Sequence, residues 1–181
     1  MRKVLEGFAV LRPEDVTVIV DSREQRPFSL APMRVMRSAL PEGDYSVAGL
    51  VDVVRVERKS TQDLVQCVGR ERPRFERELV RLRGFRHAAV VVEGSIAEIL
   101  QGRWPGVVSP RAVLGSIVAW SLEYVPVIPA GSREDAEAWT RAFLWTTAKH
   151  EWQRLRAMAE AAAAVPAGGA RVPEAALRVQ L

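Results

Sequence analysis

Residues 51–68 read VDVVRVERKSTQDLVQCV. Val51, Val53, Val54 and Val56 favour extended backbone, and the run predicts a strand from Val51 to Arg58 with Lys59 at its end. Two-residue alternation along such a strand puts Glu57 and Lys59 on one face and Arg58 on the other. Ser60 with Asp63 three residues later has the spacing of a capping box, which opens a helix to about Val68.

The same grammar extends outward. Val16 to Val20 is a β-branched run ending at Asp21, followed by a loop from Ser22 to Pro27. Met33 to Leu40 is extended, Pro41, Glu42 and Gly43 make a turn, and Tyr45 to Val47 resumes before a second turn at Gly49. These pieces are expected to form an antiparallel ribbon. Downstream, Arg72-Pro73 starts a helix to about Gly84, and His87 to Val92 reads as a buried strand. A short helix opens at Ser95 and Glu98, and Ser109-Pro110 starts another. Ala112 to Tyr124 is apolar nearly all round, which predicts a central helix. Val125 to Pro129 is a last strand, and Ser132 with Asp135 caps a long helix past Trp152. Strands alternating with helices predict an α/β domain with a mixed sheet over residues 1–160. From Ala161 the alanines, then Pro166, Gly168 and Gly169, predict a linker and tail over residues 161–181, with Val172 to Leu181 either a docking helix or disordered.

The 181 residues carry a formal charge of +4, and nearly all of the positive charge is arginine, since Lys3, Lys59 and Lys149 are the only lysines. A surplus of this size is compatible with a polyanionic partner. Ala112 to Leu122, the longest uncharged apolar stretch, is too short for a bilayer, and no signal-peptide pattern opens the chain. An intracellular protein is expected, cytoplasmic in a prokaryote or virus and nuclear in a eukaryote. With Cys67 as the single cysteine and only His87 and His150 as histidines, no zinc ligand set is present. A metal would be held by carboxylates, which points to Mg or Mn.

An Asp after a turn, Asp44, followed by a Glu-x-Lys at a strand end is the donor set that metal-dependent phosphodiester hydrolysis needs. Two carboxylates hold a hard cation, and a lysine meets the attacking water or the charge developing on phosphate. The alternative treats Glu57 and Lys59 as an exposed strand pair and Asp44 as a turn residue. Retention of lysine at 59 in an arginine-rich chain favours the first reading, because a compact ammonium approaches a water where a guanidinium cannot.

Asp21-Ser22-Arg23-Glu24, then Gly43-Asp44, then Glu57-Arg58-Lys59 with Asp63 resemble the signature of the XPF-type structure-specific nucleases, which reads Asp-x-Arg-Glu, Gly-Asp, Glu-Arg-Lys-x-x-x-Asp. The likeness continues more weakly to about residue 152. It implies a restriction-endonuclease-like fold, a mixed sheet flanked by helices, and hydrolysis of DNA at branches, flaps or junctions. Carried over, Asp44 and Glu57 would ligate the metal together with the Arg58 carbonyl, and Lys59 would serve the nucleophilic water. Asp21 and Glu24 would complete an acidic rim, Arg23 would organise that rim or touch phosphate, and Asp63 is either a motif acid or a helix cap. The resemblance also implies a homodimer. Many members carry a helicase or helix-hairpin-helix domain, for which nothing after Trp152 leaves room, so a partner protein is the expected source of grip on duplex DNA. The competing function is a non-catalytic DNA-binding subunit of a nuclease complex.

On the helix after Pro73, Arg74, Arg77 and Arg81 recur at i, i+3 and i+7, apart from the face of Phe75, Leu79 and Leu82. With Arg70 they form either a phosphate-binding row or a solvated face paired with Glu71, Glu76 and Glu78. Trp104, Trp120, Trp139, Trp145 and Trp152 are too scattered for base stacking and are expected mostly in the core, with homodimer packing the alternative for Trp120.

Overall fold

The computed structural model describes residues 10–164. Six strands, β1 (Thr17–Asp21), β2 (Arg34–Ser38), β3 (Tyr45–Val47), β4 (Val54–Ser60), β5 (His87–Glu93) and β6 (Val127–Pro129), form one sheet in the order β2-β1-β3-β4-β5-β6. β1, β3 and β4 pair antiparallel, whereas β4, β5 and β6 run parallel. The helices are α1 (Thr61–Val68), α2 (Arg72–Leu82), α3 (Ile96–Gln101), α4 (Pro110–Glu123) and α5 (Arg133–Ala164). This is the mixed α/β sheet flanked by helices that the alternating pattern predicts.

Both faces of the sheet are covered. Leu64, Phe75, Leu79, Ile99, Val113 and Trp120 of α1 to α4 pack with Val90 and Val92, while Ala136, Leu144 and Ala148 of α5 pack with Val18, Val20, Val54, Val56 and Val91. β5 therefore buries both sets of alternate side chains, which is why it reads as one continuous apolar run. Local chemistry sets the helix starts. The Ser60, Ser95, Ser109 and Ser132 hydroxyls each accept a backbone N–H three residues on.

Three expectations change. β2 is not an arm of the antiparallel ribbon, because it pairs in parallel with β1 at the sheet edge. The intervening segment buries Phe28, Leu30 and Met33 against the α5 face, and this returns the chain to the start of β1. α4 is peripheral rather than central. Val113, Ser116, Ile117 and Trp120 are buried, but Val118 is 52% and Leu122 84% exposed. As expected, most tryptophans belong to the core: Trp104, Trp139 and Trp145 pack half-buried against it, and Trp120 is fully buried, edge-on to Phe75 at 5.0 Å with its Nε1 donating to Glu76. It serves the core of its own chain, and no surface is left for it at a dimer contact. α5 continues through Ala164, past the boundary expected at residue 160. The segment Val172 to Leu181 lies outside the described residues. No helix among the described residues is long and apolar enough to cross a membrane.

Candidate active site

β1 and β4 flank β3, and this adjacency gathers residues far apart in sequence. Asp21 N–H donates to the Asp44 carbonyl, and Asp44 N–H to the Val56 carbonyl, both at 2.8 Å. The second bond sets Asp44 beside Glu57. Gly43 makes the approach feasible, since its φ is +69° and a Cβ there would lie 3.1 Å from the Val56 carbonyl oxygen. Alternation against the buried valines places Asp21, Asp44, Glu57 and Lys59 on the α1 to α4 side, and all four line a cleft of about 800 Å³.

Glu57 is 6% exposed, and its Oε1 accepts from Lys59 Nζ. Lys59 also lies 3.5 Å from Glu78 Oε1, and its ammonium stands 5.2 Å from the centroid of the Phe75 ring. Asp44 Oδ2 accepts the Arg58 N–H at 2.8 Å. Asp44 Oδ1 and Glu57 Oε2 take no hydrogen bond from a described residue. Burial pushes the Asp44 carboxyl up to about 6, with the Arg58 N–H opposing and Glu24 adding repulsion. Burial also raises Glu57, against the pull of Lys59. Burial draws Lys59 down, but Glu57 and Glu78 outweigh it and keep the ammonium charged.

Asp21 is held differently. Its oxygens accept Arg23 N (2.7 Å), Arg23 Nε (2.8 Å), Arg23 Nη2 (3.1 Å) and Leu40 N (2.7 Å). The Arg23 guanidinium and, against burial, the backbone donors bring its carboxyl to about 2. Since the unfolded value is 3.8, this contribution is complete above about pH 4 and fades as pH falls toward 2. Asp21→Ala is expected to cost about 1–3 kcal/mol at neutral pH, because the buried Leu40 N–H loses its acceptor. Thermal unfolding measures it, and a variant as stable as the parent would assign the Leu40 N–H another partner.

On the opposite face Arg58 donates to Glu93 (2.7 Å) and Glu24 (3.4 Å), and Arg133 of α5 donates to the same Glu93 oxygen at 2.6 Å. Arg133 also holds the Arg26 and Pro27 carbonyls, so this pair ties the loop carrying Glu24 to β4 and β5. Asp63 lines the cleft while its carboxylate accepts the Ser60 hydroxyl at the α1 cap. Of the arginine row only Arg74 and Arg81 line the cleft. Arg74 pairs with Glu71, Arg81 with Glu42, and Arg70 with Glu71, while Arg77 is exposed with no ion pair among the described residues. The row facing the cleft is Glu71, Arg74, Glu78 and Arg81, of alternating charge.

Glu78, Glu93 and Arg133 join the site from outside the set that the sequence motif marks. The signal for Glu78 is its row on α2, which flanks the apolar stripe of Phe75, Leu79 and Leu82 and so lies where the helix meets the sheet. No such signal marks Arg133, whose position follows from the packing of α5.

A family model described as the ERCC4 domain matches residues 20–143. Among solved structures, XPF from Aeropyrum pernix is similar with a TM-score of 0.59 and 23% identity, over 72% of this chain and 61% of that one. XPF from Aeropyrum pernix in complex with DNA gives 0.55 and 22%, over 76% and 66%. The chain spans less than two thirds of the length of either structure. No curated protein matches the sequence. The family match runs from β1 into α5 and takes in Asp44, Glu57 and Lys59; the chain belongs to the ERCC4-domain family of XPF-type nucleases.

Proposed function

We propose that this chain is a metal-dependent DNA endonuclease that hydrolyses phosphodiester bonds in branched, flapped or junction DNA. The observation that carries the reading is the convergence of Asp44, Glu57 and Lys59 in one cleft, with an oxygen of each carboxylate left without a hydrogen bond from a described residue. The donor set fits a hard divalent cation. Eight carboxylates and six basic side chains line the cleft, a formal excess of two negative charges facing a substrate that is itself an anion. No group of three His, Cys, Asp or Glu side chains among the described residues forms a complete ligand set. A cation at Asp44 and Glu57 would thus rely on the Arg58 carbonyl, substrate and water for its remaining ligands.

Mg or Mn held there would acidify the attacking water and polarise the phosphate. Lys59 would orient that water and meet the charge that develops on the phosphate oxygens. Arg23, with a side chain 71% exposed, can reach a phosphate while its inner N–H groups keep Asp21 in place. Arg74 and Arg81 would exchange Glu71 and Glu42 for the DNA backbone. Changing both to alanine is expected to flatten the slope of log affinity against log salt by up to about 1.8, at 0.9 for each phosphate of B-DNA. A slope equal to the parent's would return the row to a solvated face.

A homodimer is part of this reading, with the exposed Val118 and Leu122 of α4 as its apolar face in place of Trp120. A monomer in sedimentation at micromolar concentration would remove that element. The deciding experiment is a gel assay of the purified chain on flap, fork, junction, single-stranded and linear DNA, with Mg, with Mn and with EDTA. Metal-dependent cutting of branched forms supports the enzyme. Binding without cutting, with activity appearing on addition of a partner subunit, would instead make this chain the DNA-binding subunit of a complex.

A further inference from the structure

α2 brings more than arginines to the cleft. Phe75 and Glu78 stand three residues apart on the helix, so they project from neighbouring positions on one side. Both reach the Lys59 ammonium, the ring from 5.2 Å and the carboxylate from 3.5 Å, while Glu57 holds it from the sheet. Among the described residues Lys59 is the only ion-pair partner of Glu78, whose side chain is 16% exposed. One ammonium thus has two carboxylates around it. Glu57 alone would neutralise the lysine, so the second carboxylate adds repulsion to an already acidic cleft unless the first has another task. A lysine carries its charge on a flexible four-carbon stem and stays aimed only when something holds its end.

We propose that Glu78 is a positioning residue that keeps the Lys59 ammonium at the reacting phosphate while Glu57 is engaged by the cation. The inference rests on Lys59 acting in phosphodiester cleavage. Glu57 and Glu78 divide the work: the strand carboxylate faces the cation, and the helix carboxylate retains the lysine that would otherwise be repelled from it. Phe75 supports the ammonium with its ring face.

The test has two readouts on the full chain. Only Lys3, Lys59 and Lys149 are lysines, so a ¹³C-lysine-labelled sample gives a Lys59 ε-methylene signal that is assigned by its loss in Lys59→Arg. In the parent the two ε protons are expected to stay distinct with and without Mg, and in Glu78→Gln they are expected to merge on adding Mg. In single-turnover cleavage of flap DNA, Glu78→Gln is expected to lower the maximal rate by about 10- to 100-fold. DNA affinity in Ca should stay at the parent's value, and Glu78→Asp should recover part of the rate. Unchanged Lys59 signals in Glu78→Gln overturn the holding role whether or not the parent cuts DNA. A rate equal to the parent's overturns it too, as does a loss that higher Mg fully restores, which would make Glu78 a cation ligand. A parent that cuts no DNA overturns the nuclease reading itself, and the spectra still report whether Glu78 holds Lys59.

Discussion

Replacing Lys59 by arginine is expected to slow cleavage by about 100-fold or more, the scale of losing one aimed transition-state donor, while DNA binding survives. The substitution keeps the charge, so it separates catalysis from attraction. Lys59 reaches its place between Glu57, Glu78 and the Phe75 ring with a side chain only 14% exposed. A planar guanidinium is broader, presents its donors in a fixed fork and does not release a proton at any working pH. It would displace either the attacking water or the carboxylates around it. Single-turnover rates on flap and duplex DNA at matched Mg measure the effect, with binding read in Ca. Rates equal to the parent's would show Lys59 to be a strand-end charge and would remove the Glu57-x-Lys59 pair from the mechanism.

Asp44→Asn is expected to abolish cleavage and, in the same protein, to raise stability in the absence of metal. The amide keeps the size of the side chain and can still accept the Arg58 N–H that Asp44 Oδ2 takes at 2.8 Å. It loses the negative charge that a divalent cation requires. The stability effect has its own sign. Asp44 has a folded value near 6 against 3.8, so the folded chain binds the proton more tightly than the unfolded one. Ionising it therefore costs stability that is lost as pH rises from about 4 to about 6 and stays lost above. The asparagine variant should accordingly exceed the parent at pH 7 in EDTA by on the order of 1–3 kcal/mol and show no advantage near pH 4. Gel assays and thermal unfolding at the two pH values give both halves. Cleavage at the parent's rate would sink the assignment of Asp44.

Glu57 and Lys59 on one face, Arg58 on the other and the helix start at Ser60 follow from a period of two and from a hydroxyl three residues before a free N–H. Such features depend on atoms within a few residues of one another, so they are written in the local sequence. The same holds for the apolar run of β5 and for the cap of α5 at Ser132. The order of strands is not of this kind. A turn at Pro41 to Gly43 suggests that β2 and β3 are neighbours, yet β1 lies between them. The burial of Phe28, Leu30 and Met33 decides that, through contacts with α5 more than 100 residues away in the chain.

The division is the same at the site. Asp44, Glu57 and Lys59 could be named as candidates from their residue types and spacing, because binding a cation and a phosphate would demand those groups, and the fold brings the three into one cleft. Which carboxylates remain open, and which are already spent, is a tertiary matter. Asp21 looks as available as Asp44 in the sequence, but four N–H donors occupy its oxygens. Arg77 looks equivalent to Arg74 and Arg81 by helical period, but the rotation of α2 on the sheet turns Glu78 toward the cleft instead. Helical spacing fixes which side chains share a face, whereas the direction that face points is set by the burial of Phe75, Leu79 and Leu82 against β5 and α4. Local geometry therefore made the candidate triplet legible, and long-range packing alone decided what surrounds it.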